Sequence, residues 1–452
     1  MMIKILNFLL IAITALFTGS SGIVISLLFF YIIGTTISYQ LSNNDVKDKK
    51  NLVSLFNTAF LIYTLIAILS YLDFINGNMM FFKHPDQFHF YEVADELGKK
   101  SNLYEIFYDC FIDRIHDEQE ASYFYFGSLA LIANSFLDGN SVLFQSIHVS
   151  FFAILINLFL YKILLFYINR KTALKYTLYF LLFAYILSFS PWILRDIHIA
   201  LLFTIAIYIV HLEFSIKKIF ILLILQLIVF EFRFENGMIF SFFPLLFTYN
   251  NAKKSRYRGL HITLICLVLL AGVAKYSTSL IANILHSTDT LERYNELSST
   301  SADESGGVGK MIFKLPIGAK QIASVVISQI SPFPPWNDIN KSETFIQGVI
   351  GFISGLAPLF WGFVFFTSVK YYKYYKTLSF LTKSLVLFAI IFLFLSSANM
   401  LVRRLIPVYP IIYMFFVYVI SKLSKKQIRK NISTYTMIYS GLLVVYFFIK
   451  FL

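Results

Sequence analysis

Residues 143–168, LFQSIHVSFFAILINLFLYKILLFYI, carry one lysine, Lys162, and no carboxylate or arginine. The run is continuous, without alternation of apolar and polar positions. At 1.5 Å per residue it is long enough to cross a bilayer core as a helix. Comparable runs recur about every 25 residues along the chain. Apolar residues make up 58% of the sequence and charged residues only 14%, too little charge to cover a soluble chain of 452 residues. Unbroken runs also argue against a barrel, whose strands alternate. The expected fold class is an all-α polytopic membrane protein.

Candidate spans lie at roughly 3–19, 22–40, 52–74, 143–168, 174–192, 197–213, 217–232, 237–249, 260–285, 344–370, 379–398, 405–422 and 433–451. These give about 13 transmembrane helices in a single domain over residues 1–452. A shorter apolar piece, 124–137, reads as re-entrant or as lying along the surface. The first run lacks a small-residue cleavage site and is followed at once by a second span, so it reads as retained. Lys and Arg concentrate in short loops: Lys47/Lys49/Lys50, Arg170/Lys171, Lys217/Lys218, Lys253 to Arg258, Lys370 to Lys376 and Lys422 to Lys430. If 124–137 does not cross, all of these fall on one side. By the positive-inside rule that side is the cytoplasm, with the N-terminus inside and the C-terminus outside. The net charge of +13 is therefore a topology signal rather than a nucleic-acid one. Cys110 and Cys266 fall in a long loop and an apolar span, which suits neither a disulfide nor a metal cluster.

Two large outer loops remain, about 75–142 and 286–343. The first is acidic and contains His84-Pro85-Asp86-Gln87-Phe88-His89-Phe90-Tyr91-Glu92-Val93-Ala94-Asp95-Glu96-Leu97. The spacing predicts a helix over 87–99, with Phe90, Val93, Ala94 and Leu97 as an apolar stripe opposite Glu92, Asp95, Glu96 and Lys99. Such a helix can lie flat at a membrane surface with Asp86 at its start. The second loop holds the Ser/Gly-rich, acidic run 298–307, a candidate mobile lid, and then the aromatic corner Ser331-Pro332-Phe333-Pro334-Pro335-Trp336.

Charges at the outer ends of spans are costly beside lipid and tend to face a cavity or a partner. Asp86 with Glu92, Arg195-Asp196, the Glu231/Arg233/Glu235 group and Arg403-Arg404 all reach the outer face in this topology. Carboxylates and arginines on one face suit a substrate with a phosphate and a reacting hydroxyl. Each has a plainer reading. Asp86 could serve as a helix N-cap, and Glu92, Asp95 and Glu96 as a solvated face. Arg195 could pair with Asp196, Arg233 with Glu231 or Glu235, and Arg403/Arg404 could snorkel to headgroups. His84 and His89 have no third ligand at metal spacing, so no metal or other cofactor is indicated.

The pattern Asp86-x-x-x-Phe90-x-x-Val93-Ala94-x-Glu96-Leu97 resembles the first outer-loop motif of GT-C glycosyltransferases, among them the protein mannosyltransferases and lipid A aminoarabinose transferases. Gln87 stands where those enzymes commonly carry a second acid. Tyr123-Phe124-Tyr125-Phe126 through Leu137-Asp138-Gly139-Asn140, Ser190-Pro191 followed by Arg195-Asp196, and Arg403-Arg404-Leu405-Ile406-Pro407-Val408-Tyr409-Pro410 resemble later motifs of the same family, in the same order. The resemblance spans roughly residues 50–420. It implies a GT-C-like fold and sugar transfer from a polyprenyl-phosphate or polyprenyl-diphosphate donor to a glycan or lipid acceptor, outside a bacterial inner membrane. Asp86 would be the base that takes the acceptor proton. Arg195, Arg233, Arg403 and Arg404 would stabilise the departing lipid phosphate. Asp196, Glu235, Glu92 and His89 would orient an arginine or hold sugar hydroxyls.

An O-antigen or capsule repeat-unit polymerase is the rival expectation, since those proteins share the aromatic richness, the span number and outer loops with arginines. A flippase or transporter of lipid-linked sugars would instead show internal repeats and midplane charges. No repeat is found, and the charges gather at one face.

Overall fold

The computed structural model describes residues 2–76, 85–113, 120–251, 317–340, 342–397 and 401–451, with isolated positions between 259 and 270 and at 315. All regular structure among these residues is helical. Of the expected features, the span 260–285 falls mostly outside the described residues. Its neighbours in the second loop, including 298–307, and His84 do so entirely.

The chain opens with α1 (Met2–Thr18), α2 (Ser21–Leu41) and α3 (Val46–Ile75). Ser20 and Asp45 cap α2 and α3 by accepting from the first free backbone amides. Polar contacts hold the three together within apolar surroundings. Asn7 Nδ2 donates to Asn57 Oδ1 at 3.2 Å, and the Tyr31 hydroxyl donates to the same oxygen at 2.7 Å. Next come α4 (Pro85–Leu97), α5 (Leu103–Phe107), which runs on as a π turn, α6 (Glu120–Phe136) and α7 (Val142–Leu164). The last is buried along almost its whole length, between α3 and the later helix α10 (Asp196–Val210). Between them lie α8 (Arg170–Phe183) and α9 (Tyr185–Phe189). After α10 come α11 (Ile216–Phe232), α12 (Phe234–Phe240), α13 (Phe242–Asn251), α14 (Ile317–Ser328), α15 (Asn337–Asn340), α16 (Phe345–Lys370) and α17 (Phe380–Ser396). A 3-10 turn, Val402–Val408, leads straight into α18 (Tyr409–Lys422), and α19 (Lys425–Phe451) ends the chain.

Six helices among the described residues are long and apolar enough to cross a membrane: Ser21–Leu41, Val46–Ile75, Val142–Leu164, Phe345–Lys370, Val402–Lys422 and Lys425–Phe448. Others expected as spans are shorter or broken. α1 and α17 have 17 residues each and α10 has 15, about 22–26 Å against a core of about 30 Å. The run 174–192 breaks at Ala184, whose extended backbone (φ −82°, ψ 155°) separates α8 from α9. That break aims the Tyr185 hydroxyl at the Ser331 carbonyl, 2.6 Å away, and so ties the aromatic corner to the bundle. The corner is further seated by Phe333 against Tyr439 and Trp336 stacked on Phe447. Large apolar side chains face outward over much of the bundle, among them Phe8, Leu16, Phe220, Ile224, Val445 and Phe448. Water penalises such a surface, and lipid tails accommodate it. The molecule is an α-helical, multi-pass membrane protein.

At one end of the bundle Asp48 is buried and receives Lys162 Nζ at 3.2 Å and Arg170 Nε at 3.0 Å. Arg170 also pairs with Asp45. This clasp joins the start of α3, the end of α7 and the start of α8. The charged residues at the far end of the bundle form a second cluster.

Candidate functional site

The expected surface helix forms two residues earlier than its spacing predicts. It begins at Pro85, whose fixed φ suits a first helical position, and stops before Gly98. Asp86 therefore stands inside the first turn rather than capping it, where the helix dipole favours a carboxylate. Phe90, Val93, Ala94 and Leu97 are all buried, as the stripe requires. They lie on α6 at unusually short range. A Cβ on Gly98 would come within 2.6 Å of Ala130 Cβ, and one on Gly127 within 2.7 Å of Leu97 Cβ. Two glycines thus let α4 seat against α6 and fix where Asp86 projects.

Arg195 and Asp196 close the loop before α10. Arg233 separates α11 from α12. Arg403 and Arg404 ride on the 3-10 turn before α18, where Pro407 and Pro410 lack the amides a regular helix would use. These elements converge. Arg403 pairs with Asp86 at 2.6 Å across 317 positions of sequence. Arg233 donates to Asp196 Oδ1 at 3.1 Å, and Arg403 approaches Asp196 Oδ2 at 4.0 Å, so Asp196 lies between two guanidiniums. Arg195 donates to the Phe232 carbonyl at 2.7 Å, satisfying an acceptor left open at the end of α11. Together they line a cavity of about 200 Å³, bounded by Asp86, His89, Phe90, Tyr123, Leu194, Arg195, Asp196, Arg233, Arg403 and Arg404.

The local electrostatics are those of a crowded cationic pocket. Burial, and next the Arg233 charge, hold Arg195 below the usual arginine range, with Asp196 and Glu235 opposing. The Arg403 Nε is buried with no hydrogen-bond partner among the described residues. A buried donor at a cavity wall calls for an acceptor. Burial pushes the Tyr123 hydroxyl up to about 12, so it stays protonated and can donate. Asp86 differs from Asp196 in access, its side chain being 47% exposed against 5%. One carboxylate is locked between arginines, and the other, paired with Arg403, is open to solvent.

Seven of the nine residues singled out from sequence line this cavity: Asp86, His89, Arg195, Asp196, Arg233, Arg403 and Arg404. Glu92 is on the exposed side of α4, and Glu235 is exposed on α12 and does not line the cavity, although its charge acts on Arg195. Arg403 is buried and paired, which corrects the headgroup-snorkelling alternative. Tyr123, Phe90 and Leu194 complete the wall and carry no charge that would have marked them. The Asp138-Gly139-Asn140 segment has a structural job. Asp138 accepts from Ser21 Oγ at 2.8 Å and Gly22 N at 3.2 Å, capping α2, while Asn140 reaches Asp95 of α4 at 3.4 Å. Gly139 between them has φ +108°, a backbone state that other residues rarely adopt. Among the described residues no group of three or more His, Cys, Asp or Glu side chains is placed to hold a metal ion. Compared with known proteins, the chain matches no family model, no curated protein and no solved structure.

Proposed function

We propose that the protein is a membrane glycosyltransferase of the GT-C type. It moves a sugar from a polyprenyl-(di)phosphate carrier to a hydroxyl on a glycan or lipid acceptor, at the outer face of a bacterial inner membrane, during cell-surface polysaccharide assembly. The observation that carries this reading is one accessible carboxylate, Asp86, set against four arginines around a single cavity.

The chemistry follows from those positions. The carrier phosphate enters among the guanidiniums and competes with Asp86 for Arg403, which opens that ion pair. Asp86 then takes the proton from the acceptor hydroxyl as its oxygen bonds to the anomeric carbon. The bond from that carbon to the phosphate oxygen breaks, and the leaving phosphate keeps the electron pair. Arg195, Arg233, Arg403 and Arg404 stabilise the charge it gains. Asp196 acts as a positioning residue that aims Arg233 and Arg403. The thirteen-crossing arrangement, with the N-terminus inside and the cavity on the outer face, belongs to the same proposal. It rests on the shared sidedness of the basic loops.

A repeat-unit polymerase uses the same kind of lipid-linked donor, and the surplus of arginine over carboxylate in the cavity favours it as the second reading. A flippase is less well supported, because the charges gather at the end of the bundle away from the clasp rather than along a midplane path. The lipid-linked glycans of a deletion strain test all three. Loss of one sugar supports a transferase and loss of chain length alone a polymerase. A complete precursor trapped inside would sink both.

A further inference from the structure

We infer that an apolar groove between α16, α17 and α18 holds an acyl chain of an anionic phospholipid, whose headgroup rests on Lys370, Lys373 and Lys376. The groove shares no lining residue with the arginine cavity, and the inference does not depend on the transferase reading. α16 and α17 both pack on α18 and much less on each other, which leaves a cleft of about 410 Å³ between them. Ile412 and Phe415 come from α18, Val369 from α16, and Ile390 and Leu393 from α17. Val369 and Ile390 are exposed, so the cleft opens outward. The few polar atoms along it are used within the fold. Ser368 Oγ donates to the Val364 carbonyl at 2.8 Å, and the Tyr375 hydroxyl donates to the Lys383 carbonyl at 3.2 Å. Such a lining offers little to a sugar and much to a hydrocarbon chain.

Charge selects the headgroup. Lys370 ends α16, and Lys373 and Lys376 sit on the 3-10 turn Tyr372–Thr377 beside Tyr372 and Tyr375, which line the end of the groove. All three lysines are exposed. Lys370 lies 5.2 Å from the Phe366 ring centroid and Lys373 5.6 Å from that of Tyr374, contacts that hold the ammonium groups close to this turn. From residue 344 onward the sequence has nine lysines, three arginines and no aspartate or glutamate. The three helices and the turn that form the groove therefore carry no carboxylate to match these lysines, and the membrane can supply the anion. Basic segments beside a bilayer attract anionic headgroups, and a chain seated in the groove fixes one such headgroup in place. A neutral phospholipid fills the same groove and leaves the lysines without a counter-ion.

Native mass spectrometry of the full-length protein in neutral detergent, titrated with dioleoyl phosphatidylglycerol or dioleoyl phosphatidylcholine, tests this. One phosphatidylglycerol should be retained about 10- to 100-fold more tightly than phosphatidylcholine, each lysine near the surface contributing roughly a factor of five. Lys370→Gln, Lys373→Gln and Lys376→Gln together should erase that preference. Ile390→Trp fills the groove from its open side and should release both lipids. Ile224→Trp, at an exposed position on α11, should change neither. Melting curves confirm that each variant is folded. Equal retention of the two lipids, or a preference that survives the lysine changes or Ile390→Trp, would overturn the assignment. So would two other occupants. A polyprenyl phosphate that outcompetes phosphatidylglycerol would give the groove to the carrier's tail, and a dimer split by Ile390→Trp would give it to a second copy.

Discussion

In the proposed reaction Asp86 exchanges its ion pair with Arg403 for the acceptor hydroxyl. Held at 2.6 Å by Arg403, it is one half of an ion pair whose carboxylate is 47% exposed. Asp86→Asn should keep donor binding and lose transfer by about 10²- to 10⁴-fold, the usual contribution of a positioned base. Arg233→Ala should lose both, because Asp196 then holds only Arg403. Calorimetry beside a transfer assay separates the two outcomes, and transfer by Asp86→Asn at the native rate would remove the carboxylate from the mechanism. Tyr123 provides a test through pH. Its hydroxyl is pushed upward by burial and stays protonated throughout the neutral range. Tyr123→Phe should therefore lower activity by the same factor at every pH in that range, and a factor that varied with pH would show that the hydroxyl ionises there. The ionised members of the site were legible in the sequence because charge beside a long apolar run is expensive and so conspicuous. Phe90 and Tyr123 were picked out only within the stripe and a motif, and Leu194 not at all, since apolar residues are 58% of this chain and one that lines a cavity looks like any other.

For single elements, α4 shows how much a three- and four-residue rhythm can specify and where it stops. Its buried stripe was readable, but the helix it rests on was not, and neither was the role of two glycines outside that stripe. Gly98→Val should cost about 1–3 kcal/mol by overpacking against Ala130. It should also shift Asp86 away from Arg403, so transfer falls by more than the loss of folded protein explains. Thermal melts in detergent, run beside the assay, would expose an equal fall in both, which would reduce Gly98 to a packing residue. The broken element 174–192 illustrates the opposite case. Its hydropathy is continuous, yet the tertiary bond from Tyr185 to the Ser331 carbonyl overrides the run at Ala184. Nothing local announces a partner 146 positions away.

Across the whole molecule, the two charged clusters sit at opposite ends of the bundle and do different work. The clasp of Asp45 and Asp48 with Lys162 and Arg170 is closed and matched in charge, whereas the cavity is lined by four arginines and two aspartates. Asp48→Asn leaves Lys162 buried beside a neutral partner and should cost roughly 3–5 kcal/mol of stability. Transfer per folded molecule should be unchanged, and a comparable loss of specific activity would mean that the two ends are coupled. In the sequence Arg170 served only as a marker of sidedness, because pairing over more than a hundred positions leaves no local trace. The helical, multi-pass character was readable from composition and run length. Which runs are full-length helices depended on breaks and turns that hydropathy does not register.

Asp138 links regions that the chain order keeps apart. It closes the head of the second helix, and through Gly139 it leads to Asn140, which steadies the acidic face of α4 at Asp95. The N-terminal hairpin is thus a footing for the loop that carries Asp86, the proposed base, as well as lipid-facing bulk. A version of the protein shorn of its first two helices would keep every arginine of the cavity and lose the anchorage beneath Asp86. It should bind the carrier and fail to turn it over.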